Sequence, residues 1–365
     1  MKMITNMLSG VFTAVSLVIS TLLILAAYSS YLSPDQFPIL TNFGLGFPVV
    51  LLIQIGLTIL FKIFKLNAFK FSLIALLIVS PQIYKYSPVS FFNSNPPKQA
   101  FKLLSYNVMG FAGLEKNKNG KNSILEYLQN SKADIICLQE YSESTNNKYI
   151  TRKDILAALK KYPYFKIHAI GEKGSNNKLA IFSKFPILSS EPITYKSSYN
   201  GSVAYILTIH DDKYLLINNH LESNKMTKTD KVAYKKILNL ENSKDKLLAD
   251  SKGLAHKIIE ASQLRKKQVE IVDHYIENSN YANIIVCGDF NDSPLSYTNR
   301  LLEKRLTNAF IQAGFGLGIS YNQNKFYFRI DNILISKNLK AYHCEVDQSI
   351  KTSDHYPIWC SIAKK

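Results

Sequence analysis

The chain has 365 residues with 44 basic and 27 acidic side chains, a formal charge of +17 at pH 7. Its composition excludes a single uniform soluble domain. Residues 1–96 carry five lysines and one acid, whereas the other 269 residues carry 39 of the basic and 26 of the acidic side chains. The second part is long enough to bury a core of its own. Its basic excess favours an anionic partner, whether nucleic acid, a phosphorylated metabolite or an acidic lipid surface, without choosing among them.

Three apolar runs occupy residues 1–85. No charged residue occurs between positions 3 and 34, and a helix that crosses a bilayer needs roughly 20 apolar residues. We therefore expect three transmembrane helices, at about 8–30, 45–62 and 67–83. Lys70 and Pro81 interrupt the third run. If that run lies at the membrane interface instead, only two helices cross the membrane.

The lysines predict the orientation of these helices. Lys2 precedes the first run, and Lys62, Lys65 and Lys70 fall between the second and third. Because positive charge stays on the cytoplasmic side, three helices would place the following residues outside a cell membrane, whereas two would leave them in the cytoplasm. Residues 86–99 contain three prolines with Ser and Asn, which is typical of a linker.

Residues 100–365 show short apolar runs that alternate with helical periodicity. Runs of five to seven residues rich in Ile, Leu, Val and Tyr predict strands at 102–107, 135–139, 179–183, 203–209, 214–218, 283–287, 329–335 and 356–361. Helical spacing occurs at 123–130, 151–160 and 254–278. This mixture predicts an α/β fold in which helices cover sheets. The four cysteines form no metal-binding pattern, and we expect them to be buried thiols.

Polar residues that can perform chemistry follow these apolar runs or lie at their edges. Rigid sheets place such loop residues accurately in space, so active sites form there. Taken singly, each residue also suits a turn, a cap or a solvated position. The candidates are Asn107, Glu140, His220, Asp289, Asn291, Asp331, Asp354 and His355.

The motifs around these residues resemble those of the endonuclease/exonuclease/phosphatase superfamily, which includes DNase I-like nucleases, neutral sphingomyelinases and inositol polyphosphate phosphatases. The matching stretches are LLSYNVMGF, ADIICLQEY, KLAIFSKFPI, LINNHLES, IIVCGDFNDSP, RIDNILIS and SDHYPI. They occur in the order known from the family and extend from residue 102 to residue 358. The resemblance therefore covers nearly the whole second part.

The resemblance implies a four-layer αββα sandwich, DNase I-like, that hydrolyses phosphate esters with Mg²⁺ or Mn²⁺. In this scheme Glu140 is the principal metal ligand, and Asn107 orients the metal site and a phosphate oxygen. Asp354 supports the metal or the hydrogen-bond network around it. Asp289 aligns or deprotonates the attacking water, and Asn291 donates to the phosphoryl oxygens. His355 stabilises the developing charge with Asp331 on its other ring nitrogen, and His220 assists the phosphate or the leaving oxygen.

Departures from the superfamily's usual motifs narrow the branch of the superfamily to which the chain is similar. Abasic-site endonucleases have an acidic residue where Met109 stands and a Tyr near His220, so the resemblance favours the histidine-containing branches. We assign no role to Asn177, because residues 176–180 lack the glycine that the family commonly has before this strand. The lysine-rich segment 224–257 is either a solvated helical insertion or a basic flap over an anionic substrate or lipid surface.

Two functions from different classes follow from the sequence. The first is an enzyme acting on nucleic acid, a phospholipid headgroup or an inositol phosphate at the membrane. The second is a membrane-tethered, non-catalytic binding module on the same fold, which would be expected to have lost the metal-binding Glu or the Ser-Asp-His triplet; this sequence retains both. The sequence indicates no protein partner, and no cofactor besides a divalent metal.

Overall fold

A computed structural model describes residues 2–90, 94–117, 120–173, 175–239, 244–321, 323 and 327–365. Residues 91–93 of the predicted linker and 240–243 of the lysine-rich segment lie outside this described part. The chain divides into two compact units. The helical unit comprises Met1–Tyr86 and Ser293–Arg300, and the catalytic unit, so called for its candidate residues, comprises Ser87–Asp292 and Leu301–Lys365.

The helical unit contains the helices α1 (Lys2–Tyr28), α2 (Phe47–Ile63) and α3 (Ala68–Tyr86), with 3-10 turns at Ser29–Tyr31 and Leu40–Gly46. By length and composition, Ser9–Tyr31, Leu40–Ile63 and Ala68–Tyr86 are each long and apolar enough to cross a membrane. Pro81 does not end α3, which continues for five more residues. Polar side chains of this unit bond to each other inside it, as when Gln54 Nε2 donates to Ser20 Oγ at 3.0 Å.

The segment Ser293–Arg300 packs within the helical unit. Leu295 is fully buried in a cluster with Leu23, Ala26, Ala27, Phe47, Val79 and Tyr86. The Arg300 guanidinium lies 3.7 Å from the centre of the Tyr31 ring. A Cβ atom on Gly44 would approach the Leu295 carbonyl oxygen to 2.5 Å, so this packing requires a glycine at that position.

Two six-stranded sheets form the centre of the catalytic unit within the described residues. The first has the order β11-β12-β1-β2-β4-β3 and the second the order β5-β6-β7-β8-β10-β9. The strands are β1 (Phe101–Asn107), β2 (Ile135–Tyr141), β3 (Tyr164–Ala169), β4 (Lys178–Ser183), β5 (Ile187–Ile193), β6 (Gly201–Ile209), β7 (Asp212–His220), β8 (Asn283–Asp289), β9 (Leu306–Asn308), β10 (Asp331–Ser336), β11 (Leu339–Val346) and β12 (Ile358–Lys364).

The helices of this unit lie between its strands along the chain. They are α4 (Met109–Gly113), α5 (Ser123–Asn130), α6 (Arg152–Ala158), α7 (Lys228–Asn239), α8 (Lys244–Glu277), α9 (Tyr297–Glu303, shared with the helical unit) and α10 (Ala309–Ala313). Gly110, Phe111 and Ala112 have positive φ, so α4 is a left-handed turn.

Alternation along the strands separates the layers. Leu103 and Cys137 of the first sheet pack with Leu216 and Ile285 of the second in one buried cluster. The intervening residues, such as Leu104, pack against α5 and α6 in another. Side chains of successive strand residues point to opposite faces, so one core lies between the sheets and one lies under the helices. The predicted αββα sandwich is confirmed.

The strands that the sequence predicted are the eight inner ones. The four missed strands, β3, β5, β9 and β11, are the edges of the two sheets. Inner strands are covered on both faces and so appear as continuous apolar runs. The edge strand β3, by contrast, has no fully buried residue, which leaves no such run to detect.

Candidate active site

Strand direction brings the predicted residues to one edge of each sheet. β1 is parallel to β2, and β7 is parallel to β8, so Asn107, Glu140, His220 and Asp289 all lie at or near carboxyl ends. β10 runs antiparallel to β8 and therefore begins at the same edge, with Asp331 directly opposite Asp289. His220 lies opposite Asp289 on the other side. Adjacent strands thus align three of the candidates in register.

Asp289 lies at the centre of the cluster and is 1% exposed. One carboxylate oxygen accepts from Asn107 Nδ2 at 3.1 Å, and the other accepts from the Asn291 backbone N–H at 2.8 Å. His220 Nε2 and His355 Nε2 lie 3.7 and 3.6 Å from Asp289 Oδ2. Burial raises the pKa of Asp289 to about 6, although both histidines act in the opposite direction. A pKa in this range suits a group that accepts a proton near neutral pH.

Glu140 is directed into the cluster by an irregularity in β2. The pairing of β2 with β4 shifts register between Leu138 and Tyr141, and Glu140 has a φ of +52°. Bulges redirect side chains, and strained backbone is concentrated at functional sites. Asn107 Nδ2 donates to Glu140 Oε1 at 3.1 Å, and burial raises the pKa of Glu140. The amide of Asn107 therefore joins two carboxylates, Glu140 and Asp289.

His355 and Asp331 form a buried pair. Asp331 Oδ2 lies 2.8 Å from His355 Nδ1, which leaves Nε2 directed towards Asp289. Burial alone would lower the pKa of His355, but the carboxylates of Asp331 and Asp289 outweigh it and raise the pKa well above its ordinary value. Because the Asp331 carboxylate accepts from Nδ1, the other ring nitrogen, Nε2, faces the cavity beside Asp289.

His220 is oriented by Asn177, a residue to which the sequence assigned no role. Asn177 Nδ2 lies 3.0 Å from His220 Nδ1 and also donates to the Tyr199 carbonyl at 2.9 Å. An amide N–H₂ only donates, so His220 Nδ1 accepts and Nε2 carries the proton. Burial lowers the pKa of His220, which keeps the ring neutral. The available signal was Asn177 itself, a polar residue directly before the first residue of β4, Lys178.

Asn291 and Gly288 shape the loop that follows β8. Asn291 has a φ of +51°, and its Nδ2 donates to the Leu221 carbonyl at 2.9 Å. One amide N–H of Asn291 thus remains for the predicted contact with a phosphoryl oxygen. A Cβ atom on Gly288 would lie 2.0 Å from the Asn219 carbonyl oxygen. The close approach of β7 and β8 beneath the site therefore depends on glycine.

Two buried side chains outside the predicted set support the site. Ser353 Oγ donates to the Asn107 carbonyl at 2.8 Å and accepts from the His355 backbone N–H at 3.2 Å. Gln139 Nε2 donates to Asn218 Oδ1 at 2.7 Å, which joins the first sheet to the second beside the site. Asp354 is half-buried, and within the described part of the chain no hydrogen bond joins it to the other candidates.

The donor set fits a hard divalent cation. Ligand atoms of Asp289, Asp331 and His355 lie within 4.8 Å of one another, a trio that differs from the predicted ligands Asn107, Glu140 and Asp354. Asp331 Oδ1 is buried without a hydrogen-bond partner. Burial also raises the pKa of Glu140 and Asp289, and crowded carboxylates of this kind are stabilised by a positive ion. Carboxylate oxygens are the ligands that Mg²⁺ and Mn²⁺ prefer.

Comparisons with known proteins agree with this architecture. The family model described as the Endonuclease/Exonuclease/phosphatase family matches residues 104–355. A second model, described only as a domain of unknown function, matches residues 9–86. The search of curated proteins found no match.

Solved structures share the fold at low sequence identity. The human Nocturnin catalytic domain with bound sulfate anion is 16% identical, with a TM-score of 0.51 over 76% of this chain and 97% of that one. The endonuclease/exonuclease/phosphatase from Bacteroides vulgatus is 13% identical, with a TM-score of 0.50 over 73% of this chain and 99% of that one.

The fold and the cluster at its edge define an α/β sandwich of the kind that commonly hydrolyses phosphate esters. The chain belongs to the endonuclease/exonuclease/phosphatase family.

Proposed function

We propose that this chain is a membrane-anchored hydrolase of phosphate esters that depends on Mg²⁺ or Mn²⁺. The observation that carries the proposal is the environment of Asp289, a buried carboxylate whose pKa is raised to about 6 by burial and which lies beside Asn107, His220 and His355. A proton acceptor among several proton donors suits attack by water on phosphorus.

Each side chain has a distinct part in the proposed reaction. Asp289 accepts the proton of the attacking water, and its two accepted hydrogen bonds hold it in place. His355, paired with Asp331 through Nδ1, donates from Nε2 to the phosphoryl oxygen on which negative charge develops. His220, neutral and held by Asn177, donates from Nε2 to the substrate or the leaving oxygen.

The metal would be held by Glu140, with Asn107 and Asp354 in support and Asp331 Oδ1 available nearby. It would supply positive charge that polarises the phosphoryl group. A hydrolysis assay on the full chain in detergent tests this dependence, with DNA, RNA, sphingomyelin and inositol phosphates as substrates. EDTA should abolish activity, Mg²⁺ or Mn²⁺ should restore it, and Glu140→Gln should weaken metal binding. The control is Glu115→Gln, which changes an exposed glutamate; full activity in EDTA would refute the proposal.

The anchoring and sidedness are part of the same proposal. Three helices suited to cross a membrane, with lysines before the first and between the last two, favour a catalytic unit on the non-cytoplasmic side. An alkaline phosphatase fused after Pro97 should then be active in cells. An inactive fusion, together with a catalytic unit protected from added protease, would favour a cytoplasmic site.

A further inference from the structure

Two loops that border the candidate active site contact each other in the catalytic unit. The β7 loop, residues 221–224, follows strand β7, and the β8 loop, residues 290–292, follows strand β8. The Leu221 N–H donates to the Asp289 carbonyl at 3.0 Å, and Asn291 Nδ2 donates to the Leu221 carbonyl at 2.9 Å. The position of the Asn291 amide therefore depends on how the two loops are held against each other.

A buried arginine on helix α8 binds both loops. Arg265 is 1% exposed. Its Nη1 donates to the Glu222 carbonyl at 2.9 Å and to Asn224 Oδ1 at 3.0 Å, both in the β7 loop. Its Nε donates to Asp292 Oδ2, in the β8 loop, at 3.2 Å. Because the N–H groups of a guanidinium have fixed directions in one plane, these bonds set the position of one loop relative to the other.

A second residue of α8, one turn further along the helix, binds the β7 loop as well. Gln268 Oε1 accepts from the Glu222 N–H at 2.8 Å, and Gln268 Nε2 donates to Glu222 Oε2 at 3.0 Å. Ser197 Oγ donates to the same carboxylate oxygen at 2.7 Å. Glu222 is 1% exposed and is bound through both its backbone and its side chain, so the β7 loop is anchored on α8. Arg265 extends this anchorage to the β8 loop through Asp292.

The conformation of the β8 loop makes its position sensitive to this anchorage. Asn291 has a φ of +51°, in the left-handed region, which a residue other than glycine occupies at a cost in free energy. Asp292, the next residue, is 9% exposed, and a buried carboxylate that loses its arginine is strongly destabilised. A shift of Asp292 would displace Asn291, the proposed donor to a phosphoryl oxygen. A displacement of about 1 Å can cost ~10²-fold in rate.

We propose that Arg265 is a positioning residue, which fixes the β8 loop against the β7 loop so that Asn291 and His220 present their donors to the same phosphate ester. The catalytic part of this inference rests on the proposed hydrolase function. The guanidinium is buried, and it donates to acceptors in the two loops. Arg265 therefore acts through these loops and not by contact with the substrate.

Hydrogen exchange of the full chain in detergent tests the positioning without any need for activity. Arg265→Lys keeps the positive charge but loses the planar set of donors that makes the three bonds. The backbone N–H groups of Leu221 and Asn291, which are hydrogen-bonded to Asp289, should exchange about fivefold faster than in the unchanged protein. Mass spectrometry of the peptides that contain these two amides measures the rates.

Arg305→Lys is the matched control for this experiment. Arg305 also binds two carboxylates of α8, those of Asp273 and Glu277, but 37% of its side chain is exposed. The control should leave exchange in the β7 and β8 loops unchanged. Unchanged exchange at both amides in Arg265→Lys as well overturns the positioning role.

Hydrolysis of bis(4-nitrophenyl) phosphate with Mg²⁺ tests whether the positioning serves catalysis. Arg265→Lys should lower kcat about tenfold and leave KM within about twofold, because the displaced donor acts on charge that develops in the transition state. Since Arg265 acts through Asn291, the double variant Arg265→Lys/Asn291→Ala should lose little more than Asn291→Ala alone. Arg305→Lys should change neither constant. Multiplicative losses in the double variant overturn the catalytic role.

A milder variant decides the question if Arg265→Lys does not fold. Asn224→Ala removes one acceptor of Arg265 at a half-buried position. It should speed exchange at Leu221 and lower kcat about threefold, as the loss of one hydrogen bond does. Unchanged exchange and unchanged kcat in this variant overturn the inference.

The two measurements separate the inference from the function on which it rests. Faster exchange with an unchanged kcat in Arg265→Lys overturns the catalytic role of the residue and leaves the hydrolase function standing. No hydrolysis by the unchanged protein overturns the hydrolase function for this class of ester, whereas exchange still decides whether Arg265 holds the loops together.

Discussion

The two units of this chain place polar and apolar side chains in opposite ways. In the helical unit the most exposed large apolar side chains include Leu52 and Ile63, at 70% and 69%, while Gln54 and Ser72 are fully buried. In the catalytic unit the apolar residues of the inner strands are buried between the sheets. An apolar exterior suits an apolar solvent, so the difference supports the proposal that the helical unit lies in a membrane.

Buried polar groups also have different roles in the two units. Those of the helical unit bond to one another or to backbone, as Ser16 Oγ does with Ser72 Oγ at 3.0 Å. Those of the candidate site bring the carboxylates Glu140, Asp289 and Asp331 together with two histidines. Crowding like charges in a buried place costs stability and is retained where chemistry needs it. The comparison predicts that polar residues of the site affect turnover and those of the helical unit affect only folding.

The largest effect is expected for Asp289→Asn. The variant cannot accept the proton of the attacking water, so turnover should fall ~10²–10⁴-fold. Thermal unfolding should shift little, because the loss of an accepted hydrogen bond costs about 1 kcal/mol while the removal of a buried negative charge offsets it. Asp211→Asn, at an exposed position, should change neither quantity. Unchanged turnover in Asp289→Asn would show that the cluster is structural.

The pair His355 and Asp331 is expected to act as one unit. His355→Ala and Asp331→Asn should each lower turnover ~10²–10³-fold, as the loss of a preorganised donor does. Because Asp331 acts through the ring it bonds at 2.8 Å, the double variant should lose far less than the product of the two singles. Multiplicative losses would mean that Asp331 does not work through His355.

Asn177→Leu should have a smaller effect on turnover, about tenfold, corresponding to one hydrogen bond. Without the Asn177 donor, the His220 proton can move from Nε2, which faces Glu140 and Asp289, to Nδ1. Nitrogen-15 NMR of the histidine side chains would report this change of tautomer. The control is Asn176→Leu, since Asn176 is the exposed neighbour. If the tautomer stays the same in Asn177→Leu, the positioning role is wrong.

The smallest effect is expected from Gln54→Met in the helical unit. Gln54 Nε2 donates to Ser20 Oγ and the Ser72 carbonyl, and such bonds between membrane helices contribute about 0.6 kcal/mol on average. Gln139→Met is the matched change in the catalytic unit and leaves Asn218 Oδ1 without its donor, at a cost of about 1–3 kcal/mol. Unfolding in detergent should therefore show a smaller loss of stability for Gln54→Met than for Gln139→Met. Turnover should be unchanged in Gln54→Met.

Strands were predicted correctly from the sequence where both faces of the strand are buried. They were missed at the sheet edges. The eight inner strands appear as apolar runs, whereas the edge strands such as β3, with exposed Tyr164 and Ala169, do not. The longest helix, α8, begins ten residues earlier than its apolar periodicity suggests. Its first turns are rich in Lys and Asp, and polar residues at helical spacing leave no apolar stripe to detect.

The sequence by itself determined the αββα class, the apolar amino-terminal runs and the residue types of the site, because local composition and motif order encode these properties. Only the tertiary structure decided that Asn177 holds His220, that Ser353 joins Asn107 to His355, and that Val89 pairs with Phe315. Ser353 and Asn107, for example, are hydrogen-bonded although they lie 246 positions apart in the sequence. Contacts across such separations depend on strand order and register, which no local pattern of side chains specifies.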